Sequence, residues 1–261
     1  LSNWDTSSVT NMSYLLRAGG FLIVYRSKFT NTTISNWDTS NVENMTGFFS
    51  GVSDEGIQVD LSKWDVSKVT NMSYMFSNCR MTIEGISPFE STRLENWKTN
   101  SLIDFSYAFN SSVLLDATFT KKWNMENIET MEGMFSAGLN PLEPPIGAYR
   151  IKIDVSNWKT SNLKNLSNFM YGLDMRSIYA VEPVSDIIGL ENFDTSKVTT
   201  LENAFRRASF IDGKFMKNWD LKNATTMAYM ASITFNEQYV STSIFNPDLT
   251  LFAPYLYSLF D

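Results

Sequence analysis

A bulky anchor residue recurs along this chain with the same residue types at fixed distances behind it, and few architectures can accommodate that recurrence. The anchors are Trp4, Trp37, Trp64, Trp97, Trp123, Trp158, Phe193, Trp219 and Ile244. Five residues after each stands Val9, Val42, Val69, Leu102, Ile128, Leu163, Val198, Ala224 or Leu249. Three further on stands Met12, Met45, Met72, Phe105, Met131, Leu166, Leu201, Met227 or Phe252. Twelve residues after the anchor comes Leu16, Phe49, Phe76, Phe109, Phe135, Met170, Phe205, Ala231 or Leu256. Such columns mark a repeat protein, whose single unit cannot bury its own apolar face and must stack on its neighbours.

Two periods run through each unit. Around the anchor, Lys63-Trp64-Asp65-Val66 alternates, which predicts a short strand with Trp64 and Val66 inward. Downstream, Val69, Met72, Met75 and Phe76 follow a three-and-four spacing, which predicts one face of a short helix. Ser67 and Ser40 read as N-caps, with Glu43 completing a capping box after Ser40. The expected fold is therefore an α/β repeat solenoid, leucine-rich-repeat-like, with one short parallel strand plus one short helix per coil. Residues 1–261 form a single solenoid domain of about nine coils, with Trp4 through Trp219 stacked inside. Residues 244–261, where Ile244 replaces Trp and Pro247 and Pro254 interrupt the pattern, read as a degenerate C-terminal cap. The chain opens inside a unit at Leu1-Ser2-Asn3-Trp4, so more repeats or another domain are expected upstream.

Anchor spacings of 33, 27, 33, 26, 35, 35, 26 and 25 place insertions in four units. They run from Arg17 to Thr33, Ser77 to Arg93, Ser136 to Ile153, and Tyr171 to Ile188, all at one phase of the unit. Insertions at one phase should emerge on one edge, where a rigid scaffold displays binding loops. Phe21-Leu22-Ile23-Val24-Tyr25 and Ile178-Tyr179-Ala180-Val181 are apolar enough to pack or form strands. Tyr25, Arg26, Arg80, Tyr149, Arg150, Arg176 and Tyr179 make the rim a candidate partner-binding site, because Arg and Tyr anchor interfaces most often. The alternative site is the strip beside the anchors, Asp38, Asp65, Lys98, Asn124 and Lys159.

Chemistry is conspicuous by what it lacks. With no histidine and a single cysteine, Cys79, the chain can build neither a Ser-His-Asp nor a Cys-His site, nor a Cys/His zinc centre. A net charge of −7 argues against nucleic acid. No apolar run approaches the roughly 18 residues of a membrane span. Asp5, Asp38, Asp65, Asp194 and Asp220 recur one residue after their anchors, which points to turn structure, each carboxylate accepting nearby backbone N–H groups. A catalytic carboxylate pair should break the repeat, and none does; Ca²⁺ bridging along the Asp column is the lesser alternative. No catalytic residue, metal ligand or cofactor is expected. The Asn-Met-Ser/Thr triplets at Asn11, Asn44 and Asn71 read as repeat consensus and not as glycosylation sites.

The stretches Asn36-Trp37-Asp38-Thr39-Ser40-Asn41-Val42-Glu43-Asn44-Met45 and Trp64-Asp65-Val66-Ser67-Lys68-Val69-Thr70-Asn71-Met72-Ser73-Tyr74-Met75-Phe76 resemble the BspA-like leucine-rich-repeat surface proteins. The likeness is to the mycoplasma lipoprotein-type repeat W-D-T/V-S-x-V-T-N-M-x-x-M-F. It covers essentially the whole chain and is closest in the first three units, while the four insertions depart from it. The resemblance implies a bacterial surface location, through a lipid anchor upstream of residue 1, and a non-enzymatic binding or adhesion role. A host or neighbouring surface protein, or a glycan, is then the expected partner, with no nucleic acid and with oligomerisation open. A structural subunit that docks fixed partners through its insertions is the alternative, and a carboxylate-based enzyme a remote one.

Overall fold

The computed structural model describes residues 1, 3–18, 32–52, 59–79, 93–112, 117–136, 151–172, 185–206, 208 and 213–230. Within them successive units lie side by side in register. Seven parallel bridges join Asn11, Asn44, Asn71, Asp104, Thr130, Asn165, Thr200 and Thr226 in that order, each residue seven places after its anchor. The core is one continuous cluster running through the units, built from the columns that the sequence aligns.

The local structure of a unit differs from the expected strand and helix. Among the described residues there is no α-helix, and the only two named strands are β1 (Ile151–Asp154) and β2 (Ser185–Ile188). Short 3-10 turns, such as Thr32–Asn36, Leu94–Asn96 and Lys214–Asn218, lead into the anchors. Trp64 and Val66 do point inward, at 3% and 1% exposure, with Lys63 and Asp65 outside, but they pair with no strand. Val69, Met72, Met75 and Phe76 share one buried face, yet on a run of overlapping turns.

The hydrogen bonds explain why those turns replace a helix. In a helix every N–H would be consumed four residues back. Here alternate N–H groups leave the unit: Met72 donates to the Asp104 carbonyl, Tyr74 to Ser106, Phe76 to Ala108 and Asn78 to Asn110, at 2.7–2.9 Å. The residues between them close turns of their own, Met75 to Met72, Ser77 to Tyr74 and Cys79 to Phe76. Presenting carbonyls alternately to the neighbour and inward requires a left-handed residue. It falls ten places after the anchor in every described unit: Tyr14, Gly47, Tyr74, Tyr107, Gly133, Asn168, Asn203 and Tyr229, with φ between 55° and 58°. Gly and Asn tolerate that region, whereas a tyrosine there costs about 1–2 kcal/mol.

The N-caps are displaced for the same reason. Ser40 N–H and Oγ both donate to Asp38 Oδ1, at 3.0 and 2.6 Å, and Ser67 N–H donates to Asp65 Oδ1 at 2.9 Å. The serines thus close a turn on the preceding aspartate, and Glu43 N–H donates to Thr10 O of the preceding unit instead of capping a helix.

The anchors stack face to face. Trp64–Trp97, Trp97–Trp123, Trp158–Phe193 and Phe193–Trp219 have centroids 6.0–6.4 Å apart and planes within 4–14°. From Trp37 to Trp219 the anchors are at most 7% exposed, whereas Trp4 is 53% exposed, since among the described residues only one of its faces is stacked, on Trp37. Tryptophan is used and not phenylalanine because of its N–H. Trp64 Nε1 donates to Ile34 O, Trp97 to Leu61 O, Trp123 to Leu94 O, Trp158 to Thr120 O and Trp219 to Leu190 O, at 2.8–3.1 Å. Each acceptor sits three residues before the previous anchor and also receives that anchor's own backbone N–H. One carbonyl therefore joins two units, and the buried indole N–H, which would be costly if orphaned, is satisfied.

Buried threonines tie the units in the same way. Thr39, Thr99, Thr160 and Thr195, each 1% exposed, donate Oγ1 to the carbonyls of Asp65, Asn124, Asp194 and Asp220 in the following unit, at 2.8–3.2 Å. Cys79 is a buried filler whose Sγ donates to Phe49 O, and burial pushes its thiol well above the ordinary range.

Removing the Trp97 ring should cost ~3–5 kcal/mol in Trp97→Ala through cavity formation. Trp97→Phe keeps the stack and should cost only ~1–2 kcal/mol, chiefly the lost hydrogen bond. The converse is sharper: Phe193→Trp adds an indole N–H opposite Val155 O and should raise the urea midpoint, by about 1 kcal/mol of stability. A Phe193→Trp variant less stable than the parent would show that the indole donor does not set the column.

Candidate functional site

Three surfaces are candidates, and the structure treats them differently. The rim residues Tyr25, Arg26, Arg80, Tyr149, Arg150, Arg176 and Tyr179 lie outside the described residues, as do the two apolar insertion stretches and the cap at 244–261. What is described are the ends of the insertions. β1 closes the third and β2 the fourth, and the two pair in parallel with Ile151 opposite Ser185 and Asp154 opposite Ile188, so those two insertions rejoin the stack side by side. Of the rim charges, Arg93 pairs with Asp60 at 3.6 Å, and Arg17 lies 5.6 Å from the Tyr14 ring centroid. Lys121 pairs with Asp154 at 2.7 Å, at the end of β1.

The strip beside the anchors is assembled as a column, although on turns and not on a strand. Asp38, Asp65, Lys98 and Lys159 are exposed and Asn124 is half-buried. Its aspartates do structural work. The hydroxyl and backbone N–H of Ser7, Ser40, Ser67 and Ser196 hold the carboxylates of Asp5, Asp38, Asp65 and Asp194 below the ordinary value. For Asp220 the Lys222 ammonium and N–H have that effect. Asn124 accepts the Glu126 N–H likewise, at 2.9 Å. A carboxylate already closing a turn with two donors is poorly placed to act as a general base or a metal ligand, and among the described residues no group of three or more acidic, His or Cys side chains could hold a metal ion.

A second turn column lies on the bridge residues. Asn11, Asn44, Asn71, Asp104 and Asn165 each accept, through Oδ1, the N–H of the residue two places on, at 2.8–2.9 Å. Thr46 Oγ1 then donates to Asn71 Oδ1, Asn71 Nδ2 to Asp104 Oδ2, and Asn165 Nδ2 to Glu132 Oε2. The Asn-Met-Ser/Thr triplets therefore have a physical cause: Asn closes the turn, Met enters the core, and the hydroxyl residue joins the polar ladder.

The surface missed from sequence is the left-handed column itself. Because its backbone turns the side chain outward, Tyr14, Tyr74 and Tyr229 are 48%, 39% and 62% exposed. Tyr74 and Tyr107 stack at 5.0 Å with planes 9° apart, and the Tyr107 hydroxyl donates to Glu132 Oε1 at 2.6 Å. Partial burial, then the Glu132 hydrogen bond, push the Tyr107 phenol well above its ordinary value, so it stays protonated as a donor. The Tyr14 and Tyr107 rings lie over Gly47 and Gly133 of the following unit, where a Cβ would come within 2.3 Å of the ring. The signal available in the sequence was a column mixing Gly, Asn and Tyr at the tenth place, a composition that fits a left-handed turn better than a helix.

The depressed Asp column has a pH signature. A carboxylate held below its unfolded value of about 3.9 contributes stability that is complete above that value and lost as pH falls through the folded one. The melting temperature should therefore drop as pH is lowered from about 5 to 3. Replacing Asp38, Asp65 and Asp194 by Asn, which keeps the turn acceptor but cannot titrate, should flatten that drop. An unchanged acid limb in the triple variant would remove the structural role of the column.

No curated protein and no solved structure matches this chain. One family model does, three times in succession, over residues 1–90, 80–177 and 173–252, and thus over nearly all of the repeats. With that coverage, the chain belongs to the family described as Mycoplasma protein of unknown function, DUF285.

Proposed function

We propose that this chain is a non-enzymatic binding module, an adhesin-type repeat protein displayed on the mycoplasma cell surface. In this reading the stack is a leucine-rich-repeat-like solenoid of the BspA-like kind, and its partners are host or neighbouring surface proteins or their glycans. The observation that carries the proposal is how the described polar groups are used. The Asp and Asn columns are spent on closing turns, and the buried threonines and the indole N–H groups on holding units together. Facing solvent among the described residues are Tyr14, Tyr74 and Tyr229 on one column and charged residues such as Asp38, Asp65, Lys98 and Lys159 on another. Such a surface supports recognition of an extended partner and not turnover of a small substrate, since recognition needs anchors held rigidly on a scaffold. The insertion rim, with Tyr149 and Arg150 among its residues, belongs to the same reading as a second partner surface.

Intact mycoplasma cells treated briefly with trypsin should lose the full-length protein, detected with an antibody to the chain, while a cytosolic control protein survives. A protein that resists trypsin on intact cells and is cut only after detergent lysis is internal, and the surface reading is then wrong.

A further inference from the structure

We propose that the Tyr74–Tyr107 stretch of the outward tyrosine column, with Asp104 and Glu132 beside it, is the docking surface for an arginine-rich segment of a partner protein. This deepens the binding-module reading and rests on it. The first argument comes from the column itself. Near one end of it the Arg17 guanidinium sits 5.6 Å from the Tyr14 centroid. Near the other, Arg206 lies 5.0 Å from Tyr229 and 5.9 Å from Tyr171. Between them Tyr74 and Tyr107 stack on each other, the Tyr107 ring also lies over Gly133, and no Arg or Lys among the described residues covers the Tyr74 ring. Near its ends the described residues cover Tyr14 and Tyr229 with guanidinium groups, and over Tyr74 they place none.

The second argument is charge. Asp104 accepts the Asn71 amide and the Ser106 N–H, and Glu132 accepts the Tyr107 hydroxyl and the Asn165 amide. All four donors are neutral and each carboxylate oxygen takes one of them, so a lone pair is left on each oxygen and no cation among the described residues uses it. By contrast Glu129, three residues before Glu132 in the same unit, is paired with Lys164 at 2.8 Å. Glu43 and Glu202 are exposed beyond the two ends of the Tyr74–Tyr107 stretch. An arginine-rich segment meets both features: one guanidinium plane lies against the Tyr74 phenol face while others donate hydrogen bonds to the carboxylates. Lysine, a compact and strongly hydrated charge, uses the carboxylates but gains less from the rings. A neutral sugar can stack on the ring and donate hydroxyls to the carboxylates, but it leaves their charge uncompensated.

The fold supplies substitutions that should leave it intact. Asn already occupies the place of Asp104 in four other units, at Asn11, Asn44, Asn71 and Asn165, and the left-handed place of Tyr74 and Tyr107 at Asn168 and Asn203. The whole chain is titrated with fluorescent nona-arginine and nona-lysine peptides at low salt, with melting temperatures measured for every variant. Nona-arginine should bind more tightly than nona-lysine. Asp104→Asn with Glu132→Gln should weaken nona-arginine binding at least ~10-fold, whereas Asp38→Asn with Asp194→Asn, an equal charge change beside the anchors, should change it less than ~2-fold. Tyr74→Asn with Tyr107→Asn should abolish the preference for arginine. Equal losses in the two charge variants would mean diffuse attraction to an acidic chain and would overturn the proposal. So would tyrosine-dependent binding of a neutral oligosaccharide in place of the peptide, or an arginine preference that survives the tyrosine variant. Either failure leaves the trypsin result on intact cells unaffected, so the surface reading and the docking proposal fail separately.

Discussion

The structure depends on where each unit sends its backbone N–H groups. A buried amide without an acceptor costs roughly 1–3 kcal/mol, so a chain segment on the core must hand every N–H to something. Here alternate amides of the segment after the bridge go to the carbonyls of the next unit and the rest close turns within their own. No unit is complete alone, since half of this ladder belongs to its neighbour. The stack is a consequence of that division, as in repeat proteins generally, where the interface between units carries much of the stability.

The side chains follow from this backbone. The left-handed place ten residues after each anchor reverses the turn, sends one side chain to solvent and returns the next two to the core, which is why Met75 and Phe76 are buried behind exposed Tyr74. The anchor ring fills the opposite side of the core, and its N–H reaches the preceding unit because consecutive rings lie about 6 Å apart with nearly parallel planes. Asp and Asn side chains close the two remaining turns from within. The Asp and Asn residues that look like chemistry in a linear sequence thereby close turns and hold shape.

The columns were readable from sequence because burial repeats with the unit: Val69, Met72, Met75 and Phe76 are all fully buried as their spacing implied, and the turn role of Asp38 and Asp65 follows from their place before Ser40 and Ser67. Helix and turn were confused because both put residues three and four apart on one face. Apolar spacing cannot separate them; the backbone preference of the outward residue can, and Gly47, Gly133, Asn168 and Asn203 carried that information. The anchor strand was misplaced because alternation of Trp64 and Val66 reports extended backbone around a turn, whereas strand-like pairing occurs at Asn71, whose polar side chain gives no apolar signal. Trp4 was expected to be interior by its column, but a ring stacked on one face only stays exposed. The insertions follow no repeat, so their residues carry no periodicity from which a register could be read.

The most direct test of this account is to observe the inter-unit hydrogen bonds themselves. In deuterated, ¹³C,¹⁵N-labelled protein, scalar couplings across hydrogen bonds should connect the amide nitrogens of Met72, Tyr74 and Phe76 to the carbonyl carbons of Asp104, Ser106 and Ala108, one unit further along the chain. Couplings from Phe76 to the Met72 carbonyl and from Ser77 to that of Ser73 would mean a helix that keeps its hydrogen bonds to itself, and would contradict the structure at its foundation.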